Sequence, residues 1–163
     1  MARSKKELFD WALTACRENR IKRTRPLESV LRYLAQHDMP TSWSDLSEDR
    51  EIKATCNAAT VFRIATKLER AGILRRVGLH SRHSHYVLSA PGRHCDYLIC
   101  RNCDKILDAP GSCPIHKIEE EVERELGFHA DFHELEIYGQ CRECQHKKGR
   151  TSHKPTHEHH THS

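Results

Sequence analysis

Two Cys-x-x-Cys pairs carry most of the structural information in this 163-residue chain: Cys100-Arg101-Asn102-Cys103 and Cys141-Arg142-Glu143-Cys144. In each pair, two residues between the thiols let one tight turn point both sulfurs at the same metal ion. Two such pairs complete the tetrahedral four-thiolate shell of a structural zinc site. The 37 residues between the pairs have room for a strand, a helix and another strand, so the metal would hold a small domain together. The alternatives are four unrelated thiols or two redox dithiols of the thioredoxin type. Two pairs in one short domain disfavour the redox alternative.

The composition indicates a metal-binding protein of a reducing compartment. No run of 18 apolar residues occurs, so we expect no membrane span. The N-terminal Met-Ala-Arg-Ser-Lys-Lys is not followed by the apolar core of a secretory signal. Eight cysteines in such a chain are typical of metal ligands rather than disulfides. With a net charge of +4 and 14 histidines, the chain is expected to be cytoplasmic and mildly basic.

Charge and cysteine content divide the chain into four predicted segments. Residues 1–88 carry an excess of basic side chains and are predicted to be a DNA-binding domain. Residues 89–93 include Pro and Gly and read as a hinge linker. Residues 94–144 hold six of the eight cysteines and are predicted to be a metal-binding dimerisation domain. Residues 145–163 are polar and rich in histidine, and we expect them to be disordered.

The N-terminal segment reads as helices followed by a hairpin. Apolar residues recur at helical spacing, with Ser44 and Asn57 as predicted N-caps and Gly72 as a stop signal. The predicted elements are helices over 26–37, 44–52 and 58–71, then strands Ile73–Val77 and His83–Leu88 joined at Gly78. Three helices and a two-stranded wing predict a winged helix-turn-helix.

The outer face of the predicted helix 58–71 has the chemistry of a recognition helix. Thr60 and Arg63 can hydrogen-bond to base edges, Phe62 can pack on a thymine methyl, and Lys67 can contact phosphate. An ordinary solvated helix face is the alternative. The short helix before it and the wing after it favour DNA binding. Three basic residues just before the predicted helix 26–37 are expected to contact phosphates or the minor groove: Lys22, Arg23 and Arg25. A basic loop of no consequence is the alternative.

The C-terminal segment predicts a small α/β domain, which makes the whole chain α+β. The expected elements are strands Cys95–Cys100 and Lys105–Leu107, a helix over 115–126 and a long strand over 128–138. A domain of about 50 residues usually needs a metal, a partner or both for stability. We therefore expect Zn²⁺ to support this domain, together with a second copy of the chain.

Several of these motifs resemble the ferric uptake regulator (Fur) family, which includes the zinc-sensing Zur branch. The matching stretches are Ala59-Thr60-Val61-Phe62-Arg63, Ala71-Gly72-Ile73, His94-Cys95-Asp96-Tyr97-Leu98-Ile99-Cys100, Gly127-Phe128 and Tyr138-Gly139. The resemblance covers roughly residues 20–144, in order and with compatible spacing. It implies a homodimeric repressor that binds a palindromic operator in double-stranded DNA. It implies no membrane partner, no small-molecule substrate and no enzymatic activity.

The resemblance also implies a regulatory metal site. Its ligands fall on His94, Asp96, His116 and His133. The family often has Glu where this chain has His116, and the imidazole keeps a ligand that suits Zn²⁺ as well as Fe²⁺. Side chains on a strand alternate with period two, so His94 and Asp96 are expected on one face.

A second family site, at the hinge, departs from the family pattern. The usual wing Glu falls near Val87, and the usual histidines fall on Cys95 and Tyr97. Possible replacement ligands are His83, His85, Cys95 and Asp108. A thiolate among them would favour zinc over iron. The alternative is that this hinge site is degenerate and that the first set of ligands senses the metal alone.

Three classes of function are compatible with parts of this pattern. The first is a metal-responsive repressor of metal-homeostasis genes, zinc- or iron-sensing, with a peroxide-sensing regulator as a variant. The second is a zinc enzyme such as a nucleobase deaminase. It is disfavoured because its His-x-Glu and Pro-Cys-x-x-Cys motifs are missing and four cysteines leave no open position for water. The third is a zinc-binding interaction or storage protein that acts through the His-rich tail.

Overall fold

Two three-stranded sheets and seven helices make up the described part of the chain, which comprises residues 4–80, 83–91 and 96–147 of the computed structural model. The elements in order are α1 Lys5–Glu18, α2 Arg25–Gln36, β1 Thr41–Ser42, α3 Trp43–Glu48, α4 Arg50–Lys53, α5 Ala58–Arg70, β2 Leu74–Val77, β3 His85–Leu88, β4 Tyr97–Cys100, β5 Ile106–Asp108, α6 Ile115–Leu126, β6 Glu136–Gly139 and α7 Arg142–Lys147. The sheet orders are β1-β3-β2 and β5-β4-β6. The predicted α+β class is confirmed.

Helix α1 was not predicted from the sequence. Its buried residues, Leu8, Ala12 and Cys16, follow one another at intervals of four, which places them on one face. The helix begins with a capping box in which Ser4 and Glu7 satisfy each other's backbone N–H groups. This face adds to the core of the first domain, where Val30, Leu31 and Leu68 are also buried.

The single helix predicted over 44–52 is wrong, as is its cap at Ser44. Two short helices occur instead, because Asp49 adopts an extended backbone conformation with φ −60° and ψ 136°. Its side chain accepts a hydrogen bond from the N–H of Ile52 at 3.0 Å and so caps α4. Ser42 caps α3 in a capping box with Asp45.

The recognition-helix region and the wing agree closely with the predicted elements. The side chain of Asn57 accepts a hydrogen bond from the N–H of Thr60 and caps α5. Gly72, with φ +68°, follows the helix in the left-handed conformation that glycine adopts most readily. Strands β2 and β3 then pair antiparallel, from Leu74 opposite Leu88 to Val77 opposite His85. Strand β1, which was not predicted, pairs with the other edge of β3.

The second sheet differs from the predicted one at its last strand. The strand expected over 128–138 is wrong over most of its length, because only Glu136–Gly139 pair with a neighbour. That neighbour is β4, which is itself only four residues long, so the ladder covers four residues of each strand. One further backbone bond precedes it, from the N–H of Tyr97 to the carbonyl oxygen of Leu135 at 3.0 Å. Strands β4 and β5 lie close to the predicted positions, although Cys95 lies outside the described residues.

Helix α7 extends the chain beyond the second cysteine pair. It runs to Lys147, and its last residues fall in the segment from 145 that we expected to lack regular structure. The rest of that tail, residues 148–163, lies outside the described residues. None of the helices that the structure describes is both long enough and apolar enough to cross a membrane.

The wing of the first domain packs directly on the second sheet. Val77 and Val87 from the wing form one buried cluster with Tyr97 and Ile99 from β4. The guanidinium of Arg75 lies over the ring of Tyr97, 5.6 Å from its centroid. The contact joins the predicted DNA-binding half to the predicted metal-binding half.

Candidate metal centres and nucleic-acid interface

The parallel pairing of β4 with β6 brings the two cysteine pairs together. In the register of the ladder, Cys100 lies opposite Gly139, so both strands end at the same edge of the sheet. Cys141 follows Gly139 by two residues, and its backbone N–H donates to the Sγ atom of Cys100 at 3.3 Å. The four paired positions of β4 and β6 thereby bring together two cysteines that are 41 residues apart in the sequence.

The four sulfurs have the spacing of a tetrahedral zinc site. One ligand atom from each of Cys100, Cys103, Cys141 and Cys144 lies within 4.8 Å of every other. The Sγ atoms of Cys103 and Cys141 are 3.7 Å apart. A tetrahedron with Zn–S bonds of about 2.3 Å has S···S edges of about 3.8 Å. The described geometry is therefore compatible with one Zn²⁺ bound by four thiolates.

The thiols of this cluster differ in their pKa values because their hydrogen-bond partners differ. The donated N–H of Cys141 lowers the pKa of Cys100 to about 6, because a hydrogen bond stabilises the thiolate. Hydrogen bonds with neighbouring thiols raise the pKa of Cys144 to about 12, with Cys103 as the larger cause and Cys141 as the next. A metal ion would displace the remaining protons, so zinc binding and thiol deprotonation are coupled.

A second group of ligands gathers around His133, between β4, α6 and the segment before β6. It consists of two overlapping sets: Asp96, Cys113 and His133, and His116, Glu119 and His133. Three of the four ligands expected for the regulatory site are thus brought together, and the fourth, His94, lies outside the described residues.

Cys113 and Glu119 are members that the sequence analysis missed. Glu119 stands three residues after His116, which places both on the same face of α6, and this spacing was a usable signal. Cys113 lies in the loop before α6, where nothing in the sequence pattern links it to His133.

The contacts of His133 are short on both sides of its ring. Its Nδ1 lies 2.6 Å from Oε1 of Glu119, and its Nε2 lies 3.3 Å from Sγ of Cys113. The other carboxylate oxygen of Glu119 lies 3.1 Å from Nδ1 of His116. The hydrogen bond from His133 lowers the pKa of Glu119. Burial and then a hydrogen bond with Asp96 raise the pKa of the Cys113 thiol.

The tentative hinge set is not assembled by its described members. His83 and Asp108 are exposed, His85 is half-buried in β3, and Cys95 lies outside the described residues. Within the described ranges, no cluster of three possible ligands includes His83, His85 or Asp108. Burial lowers the pKa of His85, whose Nδ1 is buried with no hydrogen-bond partner among the described atoms. The hinge site stays a prediction.

The predicted DNA-binding residues lie on the surface. Phe62, Arg63 and Lys67 project from the exposed face of α5, and Phe62 contacts the ring of Trp43 edge-on at 5.3 Å. Arg63 donates to the half-buried hydroxyl of Thr60 at 3.2 Å, which holds the guanidinium near the start of the helix.

The basic residues before α2 are exposed as well: Lys22, Arg23 and Arg25. Arg23 forms an ion pair with Glu28 at 2.5 Å. A phosphate contact by Arg23 would therefore compete with this pair, whereas Lys22 and Arg25 face no such competition in any ion pair the structure describes.

Comparison with known proteins agrees with this architecture. The model of the ferric uptake regulator family matches residues 18–138. The ferric uptake regulation protein of Bordetella parapertussis is 34% identical over 123 residues, which are 76% of this chain and 81% of that protein.

Solved structures of regulators share the fold. The ferric uptake regulator of Francisella tularensis, determined with iron, has a TM-score of 0.61 and 28% identity, over 76% of this chain and 94% of that chain. The Helicobacter pylori ferric uptake regulator has a TM-score of 0.69 over 89% of this chain and 97% of that one, and at 21% identity it supports the fold alone. These relatives are named as regulators and not as enzymes. The chain belongs to the ferric uptake regulator family.

Proposed function

We propose that this chain is a metal-responsive transcriptional repressor that binds a palindromic operator in double-stranded DNA as a homodimer. Four thiolates hold a structural Zn²⁺, and the group around His133 takes a regulatory Zn²⁺ or Fe²⁺ that controls metal-homeostasis genes. Family membership supports the class of function. The observation that carries the proposal is the direct contact between the wing and the strand that begins beside the regulatory ligands.

The path from the metal to the wing is short. Asp96, a ligand candidate, immediately precedes Tyr97, whose buried ring contacts Arg75 and the wing residues Val77 and Val87. A metal that binds one arrangement of this interface better than another shifts the protein toward that arrangement. Ligand binding beside β4 can thus favour one position of the wing and of the recognition helix attached to it.

A second copy of the chain supplies the support that the C-terminal domain lacks. Helix α6 has no buried residue, although its sequence is amphipathic. Large apolar side chains on this helix, on the sheet and in the following segment are exposed in the single chain: Leu107, Ile118, Leu126, Phe128, Phe132 and Ile137. Exposed apolar surface of this extent is typical of an interface. We assign it to the homodimer.

The recognition face supports DNA as the partner. Helix α5 presents Thr60, Phe62, Arg63 and Lys67 for base and phosphate contacts, and the basic group Lys22, Arg23 and Arg25 adds positive charge at the start of α2. A two-fold symmetric dimer presents two such helices, which read two half-sites about 34 Å or a multiple of it apart. A palindromic operator follows from that symmetry. A chromosomal target also agrees with the cytoplasmic location expected from the cysteines.

Metal-dependent DNA binding is the decisive experiment. A palindromic duplex is first selected from a random pool with fully metal-loaded protein. Its affinity is then measured by fluorescence anisotropy for protein with only the structural zinc and for protein loaded with additional Zn²⁺ or Fe²⁺. We expect loading to tighten DNA binding and DNA to tighten metal binding by the same factor. Equal affinity of the two forms for the duplex would refute metal-gated repression.

A further inference from the structure

We infer that the regulatory metal of this chain is bound through a cysteine thiolate, with Asp96, Cys113 and Nε2 of His133 as its protein ligands. Glu119 then acts as a positioning residue on Nδ1 of the same imidazole, and His116 is not a ligand. This inference rests on the proposed function and specifies its site. It replaces the ligand set that the family resemblance implied with one that contains sulfur.

The two ring nitrogens of His133 contact different partners. Nδ1 faces Oε1 of Glu119 at 2.6 Å, and Nε2 faces Sγ of Cys113 at 3.3 Å. An imidazole that binds a metal through one nitrogen commonly donates its other N–H to a carboxylate, which fixes the tautomer and the ring orientation. Glu119 occupies that position, so Nε2 is the nitrogen left for the metal.

The distances around Nε2 suit a shared metal ion. A tetrahedral Zn²⁺ with bonds of about 2.3 Å to sulfur and about 2.0 Å to nitrogen separates the two ligand atoms by about 3.5 Å. The Cys113–His133 separation of 3.3 Å is close to that value. A carboxylate oxygen of Asp96 lies within 4.8 Å of the Cys113 sulfur and of a ring nitrogen of His133. The three side chains therefore need little movement to bind one ion.

Burial separates this set from the overlapping set that contains His116. Asp96, Cys113 and His133 are all half-buried. The side chain of His116 is 59% exposed, against 14% for His133. The carboxylate of Glu119 bridges the two imidazoles, so His116 buttresses Glu119 from the solvent side. A ligand set made of His116, Glu119 and His133 would instead have to break the hydrogen bond that orients His133.

The sulfur ligand has a consequence for metal selectivity. A set of one thiolate, one imidazole and one carboxylate is softer than the all-nitrogen and oxygen set of histidines and carboxylates. Thiolate coordination favours zinc over iron(II) at such a site. We therefore infer that the sensed metal is zinc.

Cobalt(II) provides a direct spectroscopic test of the sulfur ligand. Full-length protein is prepared with its four-cysteine site filled by Zn²⁺ and is then titrated with Co²⁺, followed by absorption. We expect a thiolate-to-cobalt charge-transfer band in the near ultraviolet as the second site fills. Cys113→Ala should abolish this band, and His116→Ala should keep it. Cys56→Ala removes a half-buried thiol that packs against the core of the first domain, and it should also keep the band.

Glu119→Gln tests the positioning role separately. The variant should keep the band, because sulfur remains bound, and should weaken Co²⁺ binding by about 10–100-fold, as is typical for loss of an orienting partner. Retention of the structural zinc in each variant verifies that the domain is folded.

Three results would overturn the inference. In the first, cobalt binds to the wild type without a charge-transfer band. In the second, the band persists in Cys113→Ala. In the third, His116→Ala abolishes cobalt binding, which assigns the site to His116, Glu119 and His133. In each case metal-dependent DNA binding can persist, so the proposed function survives. Failure of the proposed function is recognised instead by DNA affinity that does not respond to metal in the wild type.

Discussion

The backbone N–H of Gly78 points at the carboxylate of Glu136, with distances of 3.2 and 3.3 Å to its two oxygens. Gly78 follows the first wing strand with φ +78°, and Glu136 begins β6, the strand that leads to the second cysteine pair. The hydroxyl of Tyr138 donates to the same carboxylate. One carboxylate thus joins the tip of the wing to the sheet formed by β5, β4 and β6.

Glu136→Gln should therefore weaken the coupling between metal and DNA. The amide lacks the negative charge that strengthens the hydrogen bond, a loss of about 1 kcal/mol for a partly exposed group. We expect the metal-dependent gain in DNA affinity to fall by about fivefold, the factor that corresponds to about 1 kcal/mol. Fluorescence anisotropy with and without the regulatory metal measures this ratio. Glu48→Gln, which alters a surface ion pair with Lys53, is the control and should leave the ratio unchanged.

Cys141→Ser should remove the structural zinc and unfold much of the C-terminal domain. Binding of structural Zn²⁺ contributes about 10–16 kcal/mol in small zinc domains at neutral pH, so the site and the fold form together. Native mass spectrometry should record one zinc fewer per chain, and sedimentation should record loss of the dimer. Cys56→Ser, which alters a half-buried thiol of the first domain, should retain both. Full zinc content in Cys141→Ser would remove this cysteine from the site.

Arg63→Ala and Lys67→Ala should change DNA binding in different ways, the first in sequence selectivity and the second in salt dependence. Thr60 holds Arg63 near the start of α5, the end at which recognition helices generally contact base edges. If Arg63 reads a base, its loss should cost about 1–3 kcal/mol and relax selectivity at one base position. Lys67 lies further along the helix and should contact phosphate. Its loss should weaken binding to all duplexes alike and reduce the salt slope by about one unit. Binding by both variants at wild-type strength would mean that α5 is not the reading helix.

Ile118→Glu should convert the dimer to monomers. Ile118 is 51% exposed on α6 and belongs to the apolar surface assigned to the dimer. Burial of an unpaired charge costs about 3–5 kcal/mol, which weakens association roughly a hundredfold or more. Sedimentation velocity across a concentration series measures this shift. Leu79→Glu, at a residue 58% exposed on the wing, is the matched control and should remain dimeric.

His85 should make folding less favourable in mild acid. Burial lowers the pKa of His85 in the folded chain. Between the unfolded pKa of about 6.5 and the lower folded pKa, His85 is protonated in the unfolded chain but neutral in the folded chain. The free energy of unfolding therefore falls as the pH drops from about 6.5 through the folded pKa. His85→Gln should flatten this dependence in urea unfolding at about pH 7.5 and about pH 5.5. His129→Gln, at an exposed histidine, should retain the wild-type slope.

Local signals in the sequence were sufficient for much of the first domain. Asn57 and Gly72 mark the two ends of α5, and both could be predicted because capping depends on residues within one turn of the helix. The same locality makes each Cys-x-x-Cys pair recognisable. It also explains the error over 44–52, where Asp49 was not recognised as a cap that ends one helix and begins another.

Contacts between residues that are far apart along the chain became apparent only from the three-dimensional packing. The parallel ladder of β4 with β6 unites the two cysteine pairs, and the contact of Gly78 with Glu136 spans 58 residues. Cys113 joined the ligands around His133 because the loop before α6 lies against the segment before β6, and no periodicity in the sequence encodes that approach. Candidate ligands for metal and DNA could be recognised from the sequence alone, since donor atoms and spacing within a turn are local properties. Their assembly into sites required the packing of strands and helices that are far apart along the chain.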